Sequence, residues 1–368
     1  MSEISHRDTD VLTAQAIALL QQLIATPSFS KEEDKTAEVI ANYLKEKGLK
    51  VHQLMNNVWV KSTDFDPHRP TILLNSHHDT VKPAATYTRD PYTPDIEDGK
   101  LYGLGSNDAG GALVCLLHIF LALNEDKNRA YNLIFAASAE EEISGKQGIA
   151  ALLPELGDIH LALVGEPTGM QMAVAEKGLM VIDGEAKGKS GHAARNEGVN
   201  AIYIALEDIQ KLKDFDFPLK SETLGDIHIS VTQIQAGTQH NVIPDSCTFV
   251  VDVRTHERYS NQEVFEILQK EVKSILTQRS FRLNASGIPI DHPIVQKGKQ
   301  LGLSAYGSPT LSDQALMSGF PSLKIGPGLS ERSHTANEFI LTEEIKEGIN
   351  IYMTLLQGLQ IEQSSIGK

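Results

Sequence analysis

Three consecutive glutamates, Glu140, Glu141 and Glu142, end an apolar run over residues 132–139. Adjacent carboxylates raise one another's proton affinity and cost free energy unless a cation or solvent absorbs the charge. Taken alone, the triplet reads as a solvated acidic loop. Other apolar runs, however, end in groups of the same chemistry. Residues 71–75 deliver His77 and Asp79, residues 159–164 deliver Glu166, and residues 322–325 lead through Gly326-Pro327-Gly328 to His334. Asp108 joins them from a Gly-rich loop that opens a helix. By itself His334 reads as a surface histidine and Glu166 as a loop carboxylate. Their recurrence at one topological end is the signal, because open α/β sheets gather functional groups beyond the carboxyl ends of their strands. Mixed histidine and carboxylate ligation suits Zn²⁺, with Co²⁺ or Mn²⁺ as substitutes. Two histidines and three carboxylates suffice for two metals sharing one bridging carboxylate. His77 and Asp79 lie two apart, so in an extended chain they share a face and one can orient the other. His78 faces the opposite way and stays out of the ligand set. Gly103, Gly105, Gly110 and Gly111 lack the third glycine of a dinucleotide loop, and Asp108 would repel a phosphate there.

The elements that must position these groups alternate between helix and strand. The spacing predicts helices over 10–24, 31–47 and 112–123 and strands over 51–60, 71–75, 132–139 and 159–164. That alternation implies an α/β sheet with covering helices. Near Lys177 the pattern changes to strands at 179–186, 227–234 and 247–253 with helices at 199–212 and 261–277, the order of a ferredoxin-like α+β module. We therefore expect a discontinuous catalytic domain, residues 1–177 plus 289–368, with a second domain, residues 178–288, inserted into it. The α/β style resumes with a helix near 293–301, a strand over 322–325 and a final helix over 342–359. A length of 368 residues accommodates two such domains. The net charge of −15 argues against nucleic-acid or anionic-membrane binding. No apolar stretch reads as a membrane span, and residues 1–10 lack a signal-peptide pattern. Cys115 and Cys247, far apart in apolar surroundings, read as reduced core thiols and suit a cytoplasmic protein.

The motifs together resemble the M20 metallopeptidase family. They are His77-His78-Asp79-Thr80-Val81, Gly105-Ser106-Asn107-Asp108, Glu140-Glu141-Glu142, Gly165-Glu166-Pro167-Thr168 and His334-Thr335. The resemblance covers nearly the whole chain and is greatest to the acetylornithine deacetylase and succinyl-diaminopimelate desuccinylase branch. It implies a zinc-exopeptidase-like catalytic domain, a mixed sheet with helices on both faces, and two Zn²⁺ per subunit. It implies Asp108 as bridging ligand, His77 and Glu166 on one metal, and Glu142 and His334 on the other. Glu141 becomes the general base, and Asp79 the residue that orients His77. The inserted domain becomes a dimerisation and lid domain of a homodimer. There His192 resembles an oxyanion histidine, commonly supplied by the partner subunit, while Asn241 and Arg254 resemble groups that hold the substrate and its carboxylate. The chain departs from the pattern at Glu140, where aspartate is usual, at Ala109-Gly110, where Met-Lys is frequent, and in Ala193-Ala194-Arg195-Asn196, which lacks a proline. Glu176-Lys177-Gly178 looks more like the deacetylase than the desuccinylase.

The expected activity is hydrolysis of an N-acylated amino acid, with N-acetylornithine of arginine biosynthesis leading. N-acetylcitrulline, the N-succinyl analogues of ornithine and citrulline, and succinyl-diaminopimelate are close alternatives. A di- or aminopeptidase of the same superfamily would instead release amino acids from peptides. A non-hydrolytic metal-binding regulatory protein would need no base, whereas Glu141 and every ligand position are filled. Outside the resemblance, His192 reads as a turn histidine and Arg254 as a strand-end salt-bridge residue.

Overall fold

A computed structural model describes residues 6–195 and 197–362, so Asn196 of the proline-free stretch lies outside the described residues. The chain divides into two compact units. The first holds the chain up to Val174 together with Gly287–Tyr306 and everything from Ser312 on; the second holds Ala175–Ser286 and Gly307–Leu311. The short second visit of the chain, Gly307–Leu311, carries no periodicity that would have announced it.

The first unit is built on a nine-stranded mixed sheet. Its centre is four parallel neighbours in the order Asn132–Ser138, Thr71–His77, Leu161–Val164 and Ser322–Lys324. These strands are buried along their length, which is why they read as continuous apolar runs rather than alternating ones. Successive side chains sort to two cores. Ile72, Leu74, Leu133 and Phe135 join one, beside the helices His6–Ile24, Asp34–Glu46, Gly111–Asn124 and Thr342–Leu356. Leu73, Ile134 and Ala136 join the other, beside Ile149–Leu156. Register pairs His77 with Ser138 and Asn75 with Val164, so the loops beyond these strands leave from one edge.

Gly111–Asn124 is apolar on every side and almost wholly buried, as a helix through the middle of a core must be. With the preceding turn, Ser106–Asn124 has the length and apolar character of a membrane span, contrary to the sequence reading; 83% of it is buried inside the protein, so it is a core helix. The strand expected over 51–60 is instead a hairpin, His52–Leu54 against Asn57–Lys61. Met55 takes a positive φ of 53° at the turn, and the Glu33 carboxylate holds the Asn56 amide at 2.8 Å.

In the second unit, strands Gly178–Lys187, His228–Ala236, Ser246–Thr255 and Ile275–Gln278 pair antiparallel. Numbered along the chain, their order across the sheet is 2-3-1-4, and helices Ala201–Asp214 and Asn261–Glu271 complete the ferredoxin-like arrangement. Strict alternation of burial along Gly178–Lys187 puts Met180, Ile182 and Ala186 into the core with Phe249, Val251 and Leu268. The helix expected over 261–277 stops at Glu271. There the buried Asp208 carboxylate takes the N–H groups of Lys273 (3.1 Å) and Ser274 (2.7 Å), turning the chain into the edge strand Ile275–Gln278.

Candidate functional site

His77 is the last residue of its strand and 1% exposed. Its Nδ1 lies 2.9 Å from the Asp79 carbonyl oxygen and 3.4 Å from Asp79 Oδ1, so Nδ1 carries the donated proton. Nε2 is thereby turned towards Asp108 Oδ1 at 3.4 Å, Glu141 Oε2 at 3.8 Å and Glu166 Oε1 at 3.9 Å. Asp79 does more than orient this ring. Its carboxylate accepts the Ser30 hydroxyl (2.7 Å) and the N–H groups of Glu141 (3.0 Å) and Glu142 (3.2 Å), which pins the turn carrying both glutamates. His78 points elsewhere, its Nδ1 2.9 Å from Thr36 Oγ1 and its Nε2 2.9 Å from the Asn56 carbonyl.

The three glutamates are not equivalent. Glu140 sits at φ 54°, gives its N–H to Glu33 Oε1 at 3.1 Å and accepts the Gln147 N–H at 3.1 Å. A Cβ on Gly145 would fall 2.0 Å from Glu140 Oε2, so the fold of this turn requires glycine there. Glu140 thus builds the loop. Glu142 projects to His334, Oε2 to Nε2 2.9 Å, and Glu141 projects towards His77. Glu166 lies two residues beyond its strand, and its Oε1 is buried with no hydrogen-bond partner among the described residues.

Asp108 stands in an irregular turn, Ser106–Gly110, that enters the core helix through a cis Asp108–Ala109 peptide. Its two oxygens face two imidazoles: Oδ1 is 3.4 Å from His77 Nε2 and Oδ2 3.6 Å from His334 Nε2. A Cβ at Gly110 would come within 2.4 Å of the Gly105 carbonyl oxygen, so this turn admits no side chain where the resembled pattern has lysine. The Glu338 carboxylate collects the N–H groups of Gly105, Asn107 and Asp108 at 3.0, 2.8 and 2.9 Å. His334, at φ 59°, comes after a short turn that Arg332 ties to the last helix by paired bonds to Glu344 of 2.7 and 3.0 Å.

Burial of so many carboxylates sets their proton affinities. Glu141 and Glu166 are pushed well above the usual carboxylate range, by burial first and, against the pull of His77, by neighbouring carboxylates: Glu166, Asp313 and Glu142 for Glu141, Asp108 and Asp313 for Glu166. Burial would lower His77, but Glu141, Asp108, Asp79 and Glu166 together raise it well above its ordinary value. The hydrogen bond to Glu142 lifts His334 to about 9. Burial raises the Asp108 carboxyl, and the bond and charge of His77 outweigh it, holding Asp108 below its ordinary value. A site that concentrates protons this way has the field and the donor atoms for cations. Ligand atoms of His77, Asp108 and Glu142 lie within 4.8 Å of one another, as do those of His77, Glu141 and Glu166. The unpartnered oxygen of Glu166 and the two-sided Asp108 fit a pair of metal ions sharing one carboxylate.

His77, Asp79, Asp108, Glu141, Glu142, Glu166 and His334 therefore converge in the first unit. His192, Asn241 and Arg254 belong to the second. There His192 is exposed, pairs with Val242, and takes the Ala194 N–H on Nδ1 at 3.1 Å, while the Asn241 carbonyl takes the Ala193 N–H at 3.1 Å. Arg254 is committed to Asp252 on its own strand through bonds of 2.8 and 3.2 Å, the salt bridge that its strand-end position also suggested. Sequence reasoning missed Glu33, Glu338 and Asp313. Glu338 lies four residues after His334, but nothing in spacing alone marks an acid whose partners are distant backbone amides.

The profile described as Peptidase family M20/M25/M40 matches residues 73–358. The chain is 28% identical to a peptidase M20 domain-containing protein of Schizosaccharomyces pombe, over 96% of this chain and 87% of that protein. It is 29% identical to the acetylornithine deacetylase of Proteus mirabilis, over 88% of this chain and 91% of the relative. Among solved structures, an M20 family metallo-carboxypeptidase of Sulfolobus solfataricus has the same fold, with a TM-score of 0.74 at 16% identity over 93% of this chain and 98% of that one.

Proposed function

The chain belongs to peptidase family M20/M25/M40, and from that premise we propose that it is a metal-dependent amidohydrolase removing the acyl group of an N-acylated amino acid, with N-acetylornithine as lead substrate. The observation that carries the metal chemistry is Asp108, whose oxygens address His77 and His334 at 3.4 and 3.6 Å. The likeness to the acetylornithine deacetylase of Proteus mirabilis supports the substrate class. We assign His77 and Glu166 to one metal ion, Glu142 and His334 to the other, and Asp108 to both. A zinc ion held there would supply Lewis acidity and a means of activating water.

The chain's own residues supply the rest. Asp79 holds the His77 ring through Nδ1, which leaves Nε2 as the nitrogen that would ligate once its proton is released. Glu141 accepts a proton on its carboxylate and returns it to the leaving amine; burial and neighbouring carboxylates give it the high proton affinity that a base at neutral pH needs. His192 accepts an N–H on Nδ1, so its Nε2 is the donor, the state an oxyanion histidine requires. One such donor is worth roughly 3 kcal/mol.

A panel of N-acetylornithine, N-acetylcitrulline, their N-succinyl analogues, succinyl-diaminopimelate and dipeptides tests the reading. The highest kcat/KM is expected on N-acetylornithine, and faster release of amino acids from dipeptides would refute deacylation as the activity. Glu141→Gln should lower kcat by roughly 10²- to 10⁴-fold while metal content is unchanged. Undiminished turnover in that variant would remove Glu141 from the mechanism.

A further inference from the structure

The turn that presents Asp108 has little regular structure of its own. Within Ser106–Gly110 the φ/ψ of Asp108 and Ala109 are not helical, so the backbone N–H groups there need acceptors from elsewhere. One side chain provides them. Glu338, 2% exposed, receives Asn107 N–H (2.8 Å) and Asp108 N–H (2.9 Å) on Oε1 and Gly105 N–H (3.0 Å) on Oε2. Its carbonyl oxygen also takes the Gly103 N–H at 3.0 Å. The next residues, Phe339–Leu341, pair with Lys100–Tyr102, so the hold is continuous with a strand ladder. A reciprocal tie runs from the Asn107 side chain, whose Oδ1 accepts the Leu329 N–H at 2.9 Å and whose Nδ2 donates to the Leu329 carbonyl at 3.0 Å.

These ties join two segments, 103–108 and 329–338, that carry Asp108 and His334. His77 and Glu166 are placed differently, at the end of a buried parallel strand and two residues beyond one, and the Glu338 bonds reach neither. We infer that Glu338 is the positioning residue for Asp108 and, because its own segment also carries His334, that Glu338 chiefly governs uptake of the metal ion on the Glu142–His334 side, where both of these ligands meet. This rests on the two-metal reading proposed above. A carboxylate is the side chain with two equivalent acceptor oxygens that can meet three converging N–H groups. Glutamine at 338 keeps the volume but offers one acceptor oxygen, so at least one N–H in the Asp108 turn faces another donor.

The test uses the full chain, stripped of metal and titrated with Co²⁺, monitored by calorimetry and by cobalt absorption. Wild type is expected to take two equivalents. Glu338→Gln is expected to bind the first within about threefold of wild type and the second roughly 10- to 100-fold more weakly, the range for residues that orient a metal ligand. Excess Co²⁺ should restore both the spectrum and turnover, and the metal-free variant should unfold in urea as metal-free wild type does, which a merely destabilised fold would not show. Glu338→Asp keeps the charge but shortens the reach, and should weaken the second equivalent likewise if the glutamine variant fails to fold. Two equivalents bound as in wild type by a folded variant, or equal weakening of both, would overturn the inference. A wild type that binds no Co²⁺ would instead sink the metal reading beneath it.

Discussion

Replacing Asp313 by asparagine should stabilise the metal-free protein at neutral pH while weakening its hold on metal. Asp313 is 5% exposed and lies against the ends of two site strands, its Oδ2 accepting Asn75 Nδ2 at 2.9 Å and Ser138 Oγ at 2.5 Å. Burial pushes its carboxyl from 3.8 to about 6, against the pull of those two bonds. The folded value lies above the unfolded one, so between about pH 4 and 6 the native state binds more protons and loses stability as pH rises. The cost is absent below about pH 4 and fully present above about pH 6. A shift of about two units corresponds to roughly 3 kcal/mol at 1.36 kcal/mol per unit. Asparagine retains a carbonyl acceptor for both donors and has no charge to bury. Metal-free Asp313→Asn should therefore exceed wild type by up to roughly 3 kcal/mol at pH 7 and match it near pH 4. Urea unfolding in chelator, read by Trp59, the single tryptophan, reports on this unit directly. Equal pH dependence in the two proteins, or a less stable variant at pH 7, would refute the reasoning. The gain should have a functional counterpart, because the same negative charge raises the proton affinity of Glu141 and Glu166 and would attract cations. The variant should bind Co²⁺ more weakly, an exchange of stability for function.

Metal uptake should release protons. His334, at about 9, is protonated at pH 7 in the metal-free site, His77 is shifted the same way, and both must be neutral to ligate. Affinity should therefore climb with pH up to about 9, and calorimetric enthalpies at pH 7 should vary with the ionisation enthalpy of the buffer; buffer-independent heats would count against histidine ligation. Chelation should also speed amide exchange over Glu140–Ser144, because Glu142 then loses the metal ion it would ligate. Unchanged exchange there, measured by mass spectrometry with and without zinc, would show that Asp79 and Glu33 hold the turn unaided.

The ligand-type residues were legible because a parallel sheet imposes its topology on the sequence. Each buried strand is a short apolar run, and the loop after each one leaves from the same edge, so His77, Glu140–Glu142 and Glu166 could be grouped without coordinates. The second unit's order could be read from the alternation of its half-buried strands and the helical period of its two helices. The helix end at Glu271 was hidden because Asp208, over sixty residues earlier, makes the decision by capturing the Lys273 and Ser274 amides. The hairpin at Met55 was hidden similarly, since Glu33 and Asn56 form its anchor across separate elements. Local pattern carries no record of such distant acceptors.

The acidity of the site, a single electrostatic conflict at the level of sequence, resolves into two populations. Asp79, Glu33 and Glu338 spend their charge on backbone amides: two N–H groups and a hydroxyl for Asp79, two N–H groups and an amide for Glu33, three N–H groups for Glu338. Such bonds fix the turns that receive them, although at Glu338 burial outweighs them and pushes the carboxyl up to about 8. Asp108 and Glu142 face imidazoles at hydrogen-bonding or near-bonding range, Glu141 and Glu166 approach His77 less closely, and Glu166 keeps one oxygen without a hydrogen-bond partner among the described residues. The first population shapes the loops; the second retains unspent charge at their tips. An acid whose charge is already met by amides has little to offer a cation, whereas one left facing histidines gains from exchanging a proton for a metal. Hydrogen-bond accounting thus separates scaffold from ligand among residues of identical type. It is why Glu140, placed first in the triplet, belongs with the scaffold while Glu142 belongs with the ligands.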